Sequence, residues 1–164
     1  MASTLKFVGK GLAKKYQTMA RQMPNIVHDA MMSIAEDAKA DFEKTVETWK
    51  EKPEFHIDER PRSYAVVTDD EIYHFVDKGT RPHPIDPVNA PMLAFRGNYQ
   101  AKTTPKVIAS RPGGASGPVV FAAHVDHPGT QARDFSKLIH AKWEKQVASR
   151  VREKLKQGIE AVGI

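Results

Sequence analysis

The chain of 164 residues carries 25 Lys and Arg, 20 Asp and Glu, and no cysteine. This length predicts one domain with a hydrophobic core, and the lack of thiols excludes disulfides and thiolate metal sites. No apolar run approaches membrane-spanning length, and the first residues lack the continuous apolar segment of a signal peptide. These features favour a soluble cytosolic protein that does not enter a membrane.

The net charge of +5 is unevenly distributed along the chain. Residues 1–28 hold five basic residues and no carboxylate, whereas residues 29–77 hold fourteen carboxylates and six basic residues. Residues 78–164 reverse this balance, with fourteen basic residues and six carboxylates. Such separation favours binding to a polyanion or to the oppositely charged surface of a neighbouring copy. The alternative is that each charged helix simply has a solvated face.

The N-terminal part predicts an arm followed by a long helix. Residues 1–23 have apolar side chains at helical spacing among basic ones, which indicates a basic amphipathic arm. This arm either orders on a partner or packs on its own domain. Pro24 is expected to end it and Asn25 to cap the next helix, which the apolar pattern extends over about residues 25–50.

The middle of the chain predicts β-structure. Residues 64–68 and 72–76 are rich in β-branched and aromatic side chains, and residues 69–71 between them suit a tight hairpin turn. Residues 93–95 and 119–125 continue the strand pattern. Residues 98–116 between these two segments include a Gly-rich run, and we expect a long flexible loop there.

The C-terminal part predicts a second long helix. Apolar side chains recur every fourth residue from Phe135 to Ile159, so a helix is expected over about residues 133–158, with Gly158 fraying its end. Residues 24–164 are therefore predicted to form a single α+β domain. In it, two long amphipathic helices, about 25–50 and 133–158, pack on one antiparallel β-sheet.

Two Gly-Thr corners are the most specific feature of the sequence. Each follows a predicted strand, and the surrounding residues predict sharp structural turns rather than a catalytic site. The corner residues are Gly79, Thr80, Pro82 and His83 in the first, and His127, Pro128, Gly129 and Thr130 in the second.

These corners also bear a resemblance to a known family. Three parts of the chain carry it: the first corner with Phe75 and Val76 before it, the Leu93–Phe95 strand, and the second corner leading through Ala132 and Arg133 to Phe135. Together they resemble the tail-completion, or head–tail joining, family of long-tailed bacteriophages. Residues 49–55 are similar to that family's link between first helix and sheet. The resemblance covers about residues 25–158, and residues 1–22 and 98–116 lie outside its recognisable motifs.

The resemblance implies a structural virion protein without catalysis or cofactor. Such a protein is a subunit of a symmetric ring of roughly six or twelve copies at the neck or tail end, where a DNA-filled head meets a tail. Its partners are other copies and neck, portal-adaptor or tail-tube proteins, and it passes through the host cytoplasm during assembly. Joining protein, tail terminator and minor tail component all remain open.

One region is expected to face either the DNA or a docking ring. Residues 87–125 contain no carboxylate, and their basic residues are Arg96, Lys102, Lys106 and Arg111. Repeated around a ring, these charges would attract DNA transiently and without sequence specificity. The competing interpretation is that the segment lies outside the lumen and docks onto the tail or portal ring.

Two other classes of function fit parts of the sequence. A stand-alone, non-sequence-specific nucleic-acid-binding module fits the scattered basic residues, although no DNA-reading motif is present. A metal-dependent hydrolase is less favoured: His124 and His127 lie near Asp126 in sequence, but residues three apart on a strand point to opposite faces. Ser116 in its Gly-rich run lacks the spacing of a nucleophile elbow.

Overall fold

The computed structural model describes residues 9–61 and 63–163. Three helices are present in this part of the chain, α1 (Lys10–Thr45), α2 (Glu71–Lys78) and α3 (Phe135–Val162). The strands are β1 (His56–Arg60), β2 (Ser63–Val67), β3 (His83–Ile85), β4 (Leu93–Arg96), β5 (Tyr99–Gln100), β6 (Gly114–Ala115), β7 (Val119–Ala122) and β8 (Val125–His127).

The strands of the described residues pair only in twos, as β1–β2, β3–β8, β4–β7 and β5–β6, all antiparallel. The α+β class predicted from the sequence is confirmed, but the single antiparallel sheet is wrong. The last three pairs succeed one another along the two arms of one long hairpin. Each arm pairs with the other arm, so no third strand lies beside it.

Helix α1 corrects the expected boundary at Pro24. The helix runs through Pro24 without a break, so residues 10–23 are its first half and Asn25 is not a cap. The first eight residues of the predicted arm lie outside the described part of the chain. A proline inside a helix removes one backbone hydrogen bond and costs about 3 kcal/mol. Packing of α1 against α3 offsets this cost, because Met19 and Ala30, on either side of Pro24, are buried.

Gly158 lies inside α3 and does not fray it. A Cβ at this position would come 2.5 Å from Cδ1 of Ile26 and 3.5 Å from Cε of Met19. The missing side chain therefore allows the two helices to approach closely beside Pro24. Helix α3 ends four residues later, with Gly163 in the left-handed conformation as its C-cap.

Helix α2 replaces the strand predicted at residues 72–76. Asp70, expected in a hairpin turn, is instead the N-cap, and its carboxylate accepts a hydrogen bond from the Tyr73 N–H at 2.6 Å. The helical conformation buries both Tyr73 and Asp77, which are four residues apart and share one helix face. The local β-propensity of this segment is thus overridden by tertiary burial.

The hydrophobic core lies where α1, α2, α3 and the β1–β2 hairpin meet. The ring of Tyr73 is central to it, with centroids 5.1 Å from Phe55 and 6.1 Å from Phe135. The buried core residues are Ile34, Val46, Phe55, Tyr73, Phe135, Ile139 and Trp143. Within the described chain, no residue of strands β3 to β8 is among these buried residues, but Ile108, between β5 and β6 at the tip of the long hairpin, packs against them.

A buried carboxylate joins the two long helices. Asp41 of α1 accepts a hydrogen bond from the Trp143 indole N–H at 2.9 Å and pairs with Lys142 of α3 and with Lys44. Burial alone would raise the pKa of Asp41, but the hydrogen bonds from Lys142, Trp143 and Lys44 outweigh it and lower the pKa.

No helix in the described ranges is long and apolar enough to cross a membrane.

Candidate assembly surface

The two Gly-Thr corners, fifty residues apart in sequence, lie directly against each other. The Thr80 N–H donates to the Thr130 carbonyl at 2.9 Å, and the Thr130 N–H donates to the Thr80 carbonyl at 3.2 Å. The Thr80 hydroxyl also accepts from the Thr130 N–H, at 2.9 Å. The corners therefore form one structural unit. The first corner leaves a helix rather than the predicted strand, since Gly79 is the C-cap of α2.

Both corner glycines have backbone conformations that other residues rarely adopt. Gly79 has φ 77° and Gly129 has φ 84°. A Cβ on Gly79 would lie 2.7 Å from the Thr130 carbonyl oxygen, and one on Gly129 would lie 2.4 Å from the Thr80 carbonyl oxygen. Each glycine thus gives the opposite corner room for its backbone.

The corner unit also fixes the start of α3. The buried carboxylate of Asp77 accepts from the Ser136 backbone N–H at 3.1 Å and from the Ser136 hydroxyl at 2.6 Å. The N–H groups of Arg133 and Asp134 donate to the Asp77 carbonyl. Asp77 therefore satisfies the free N–H groups at a helix end from another part of the chain. The sequence carries no local signal for this role of Asp77, because Ser136 lies 59 positions further along the chain.

The histidines of the two corners face each other across the β3–β8 pair. His83 of β3 is paired with His127 of β8, with ring centroids 5.0 Å apart. Nδ1 of His127 accepts from the Gly129 N–H at 3.0 Å, and Nδ1 of His83 donates to the Arg81 carbonyl at 2.9 Å. Pro82 and Pro128 are both exposed beside them. These contacts are local turn contacts.

His124 makes a separate cluster with two carboxylates. Its Nδ1 lies 2.6 Å from Asp86 and its Nε2 lies 3.1 Å from Asp126. The hydrogen bond to Asp86, and then that to Asp126, raise the pKa of His124 above its usual value. Within residues 9–61 and 63–163, no group of three or more His, Asp or Glu side chains has a metal-binding arrangement.

From the corners, the chain extends as one antiparallel hairpin between residues 80 and 130. Pairing passes from the Thr80–Thr130 bridge through β3–β8, β4–β7 and β5–β6 to a final bridge between Thr103 and Ser110. The prediction of a long flexible loop at residues 98–116 is therefore wrong, because β5, β6 and the last bridge lie within this segment.

The tip of this hairpin returns to the body of the domain. The buried side chain of Arg133 donates from Nε to the Thr103 hydroxyl at 3.0 Å, and the Arg133 carbonyl accepts from the Lys106 N–H at 3.1 Å. The Ser110 N–H donates to the Lys44 carbonyl beside the end of α1. Residues 80–130 thus form an arch that is attached at both its base and its tip. The sequence offered no signal for the Arg133–Thr103 contact.

The four basic residues expected to face DNA or a docking ring are not equivalent. Lys102 donates from Nζ to the Thr48 carbonyl at 3.1 Å, and Arg111 donates from Nε to the Ala101 carbonyl at 3.0 Å. Arg96 is exposed, with a long contact of 3.4 Å to the Gly117 carbonyl. Lys106 is exposed and has a positive φ of 62°. Lys102 therefore joins the arch to the body of the domain, and Arg111 makes a bond within the arch tip.

The outer part of the arch is an apolar ribbon formed by β4 and β7. Opposed residues in an antiparallel pair share a face, so one face carries Leu93, Phe95, Val120 and Ala122, and the other carries Ala94, Arg96, Val119 and Phe121. Phe121 is 65% exposed and Val119 is 50% exposed. A two-stranded ribbon is marginally stable alone in water, so the exposed apolar side chains on both faces make this ribbon a candidate surface for contacts with a partner.

Comparisons of the chain with protein-family models, with curated proteins and with solved structures gave no match.

Proposed function

We propose that the chain is a structural subunit of a bacteriophage neck or tail-end ring that joins the DNA-filled head to the tail. The observation that supports this best is the arch: an extension attached to the body at both ends, whose outer ribbon exposes apolar side chains on both faces. Such a surface suits repeated contacts between subunits. The resemblance of the corner residues to the tail-completion family supports the same proposal.

A ring needs each copy to present two different surfaces that fit each other. The chain separates its charge accordingly, with an acidic excess in residues 29–77 and a basic excess in residues 78–164. The arch lies within the basic part. Head-to-tail contact between the acidic part of one copy and the arch of the next therefore combines opposite charges. Such contacts weaken with added salt, since exposed charges are screened beyond about 8–10 Å at physiological ionic strength.

In this proposal the protein acts by position rather than by catalysis, and its partners are other copies, neck or portal-adaptor proteins and the tail tube. Its place is the virion, after assembly in the host cytoplasm. Arg96 and Lys106, exposed on the arch, are the two of the four predicted basic residues that remain available to DNA in the lumen or to a docking ring.

The decisive experiment is to disrupt the gene in the phage or prophage that carries it and to image the lysate by electron microscopy. We expect DNA-filled heads and separate tails, and a copy of the gene supplied in trans should restore joined particles. Joined, infectious virions in the disrupted strain would refute the proposal.

A second candidate function is non-specific nucleic-acid binding, because α1 and α3 also carry basic side chains. Within the described chain, several exposed ones make neither an ion pair nor a side-chain hydrogen bond: Lys14, Arg21, Lys145, Arg152, Lys154 and Lys156. Mobility-shift titrations with duplex DNA at several salt concentrations test this function. Binding by the monomer that weakens steeply with salt would favour it over the ring.

A further inference from the structure

Helix α3 carries a stripe of three basic side chains along its exposed side: Lys145, Arg152 and Lys156. Lys145 and Arg152 are seven positions apart, so they lie within about 20° of each other around the helix and about 10.5 Å apart along it. Lys156 extends this α3 stripe by about one turn. All three are exposed, and within the described residues none makes an ion pair or a side-chain hydrogen bond. The stripe is therefore free to meet an anionic surface.

The middle of α1 carries an acidic stripe with the same spacing. Asp29 and Glu36 are also seven positions apart, and Glu43 follows after another seven. Asp29 and Glu36 are exposed, and in the described chain neither has an ion pair or a side-chain hydrogen bond. Glu43 is shared with Lys39, at 3.7 Å. Asp29 and Glu36 are thus the free carboxylates of this α1 stripe.

The two stripes cannot meet within one chain. Asp41, which pairs with α3, lies five positions after Glu36 and therefore about 140° around α1 from it. Trp143, which donates to Asp41, lies two positions before Lys145 and therefore about 160° around α3 from it. Each stripe points away from the contact between the two helices. An oppositely charged stripe must therefore come from another molecule.

The charges around each stripe keep its sign. Residues 29–38 of α1 hold three carboxylates and no Lys or Arg. Residues 144–160 of α3 hold five Lys and Arg and three carboxylates. These three carboxylates lie to the sides of the α3 stripe, about 60–100° around the helix from it. Charge complementarity between the two stripes therefore extends beyond their own side chains.

Small side chains flank both stripes. Ala141 and Ala148 lie beside the α3 stripe, Ala40 lies beside the α1 stripe, and all three are exposed. Helices pack with their axes about 8–10 Å apart, and small side chains at the contact favour the lower end of this range. Because both stripes repeat after seven residues, two charges of one can lie opposite two charges of the other.

We propose that the α3 stripe of one copy docks on the α1 stripe of the next copy, with Lys145 and Arg152 paired to Asp29 and Glu36. The contact joins two different surfaces, so it closes into a ring when the rotation between copies is suitable. This inference rests on the proposed function and adds a helix contact to the one made by the arch. Both contacts join the acidic part of one copy to the basic part of the next.

Charge reversal tests this contact in the full chain. One variant combines Lys145→Glu with Arg152→Glu, and a second combines Asp29→Lys with Glu36→Lys, so that in each variant both stripes carry the same sign. In sedimentation velocity experiments over a range of protein concentrations, each variant should self-associate more weakly than the wild type, on the order of tenfold. An equimolar mixture should recover the association through alternating copies, because each variant presents the stripe that the other lacks.

The matched control is Lys14→Glu with Arg21→Glu. It changes the net charge by the same amount as the reversal on α3, at exposed basic side chains outside both stripes. We expect it to associate like the wild type. All the substituted side chains are exposed, so the thermal unfolding curves should agree and loss of folding is excluded as the cause.

Three outcomes would overturn the inference. They are an equal loss of association in the control, a mixture no better than either variant, and a wild-type chain that stays monomeric at every concentration. In the last case, duplex DNA that the wild type binds and the Lys145→Glu, Arg152→Glu variant does not would assign the α3 stripe to nucleic acid instead.

The outcome also separates this contact from the proposed function. Loss of the contact in these experiments, while gene disruption still yields unjoined heads and tails, would refute the contact and leave the neck function standing. Association restored in the mixture, together with joined virions in the disrupted strain, would leave the contact standing and refute the neck function.

Discussion

Replacing Gly129 by Val tests whether the paired corners hold the base of the arch. Gly129 has φ 84°, a conformation that a β-branched residue adopts only with strain. The new Cβ would also lie 2.4 Å from the Thr80 carbonyl oxygen and 2.8 Å from the Arg81 carbonyl carbon. Both are backbone atoms, so relief requires the first corner to move away from the second.

The expected loss has two parts. Strain at a positive φ costs about 1–3 kcal/mol. Separating the corners also weakens the two backbone hydrogen bonds between Thr80 and Thr130, each contributing about 0.5–1.5 kcal/mol. A total near 3 kcal/mol corresponds to a decrease in Tm of about 6–12 °C for a chain of this size. Differential scanning calorimetry or thermal unfolding followed by circular dichroism measures it.

Gly97→Val is the matched control on the same arch. Gly97 has an ordinary backbone conformation, and a Cβ there would meet its nearest neighbour, the Pro118 carbonyl oxygen, at 3.9 Å. We expect its Tm to stay within a few degrees of the wild-type value. If Gly129→Val unfolds at the same temperature as Gly97→Val, the corners do not hold the arch as described.

Three further predictions concern charged groups. Asp41→Asn should destabilise the protein at neutral pH by about 1–3 kcal/mol. Because the folded-state pKa of Asp41 is lowered, the variant and the wild type should reach the same free energy of unfolding, measured in urea, as the pH falls through that pKa. In NMR titrations, His124 should have a pKa above 6.5, and Asp86→Asn should lower that pKa. The stabilisation from the His124–Asp86 pair is present at low pH and is lost as the pH rises through the raised pKa of His124. Lys102→Ala should lower stability in thermal unfolding by about 0.5–1.5 kcal/mol, through its lost bond to the Thr48 carbonyl, whereas Lys106→Ala should change it by less than about 0.5 kcal/mol.

Sequence periodicity was sufficient for the features that depend on neighbours along the chain. The repeat of apolar side chains every fourth residue placed α3 within a few residues of its observed bounds, Phe135–Val162. Strands β4 and β7 were placed by the strand pattern of residues 93–95 and 119–125, although the second segment forms two strands, β7 and β8. The Gly-Thr pairs marked two sharp turns, and both glycines have a positive φ. In each case the physical cause lies within a few residues.

Only the tertiary structure decided the features that depend on distant parts of the chain. Residues 72–76 have the composition of a strand, yet they form a helix because that conformation buries Tyr73 and Asp77 together. Helix α1 continues through Pro24 because α3 packs beside it, close at Gly158. The arch depends on pairings between residues up to fifty positions apart, and strand register at such separations leaves no local pattern in the sequence.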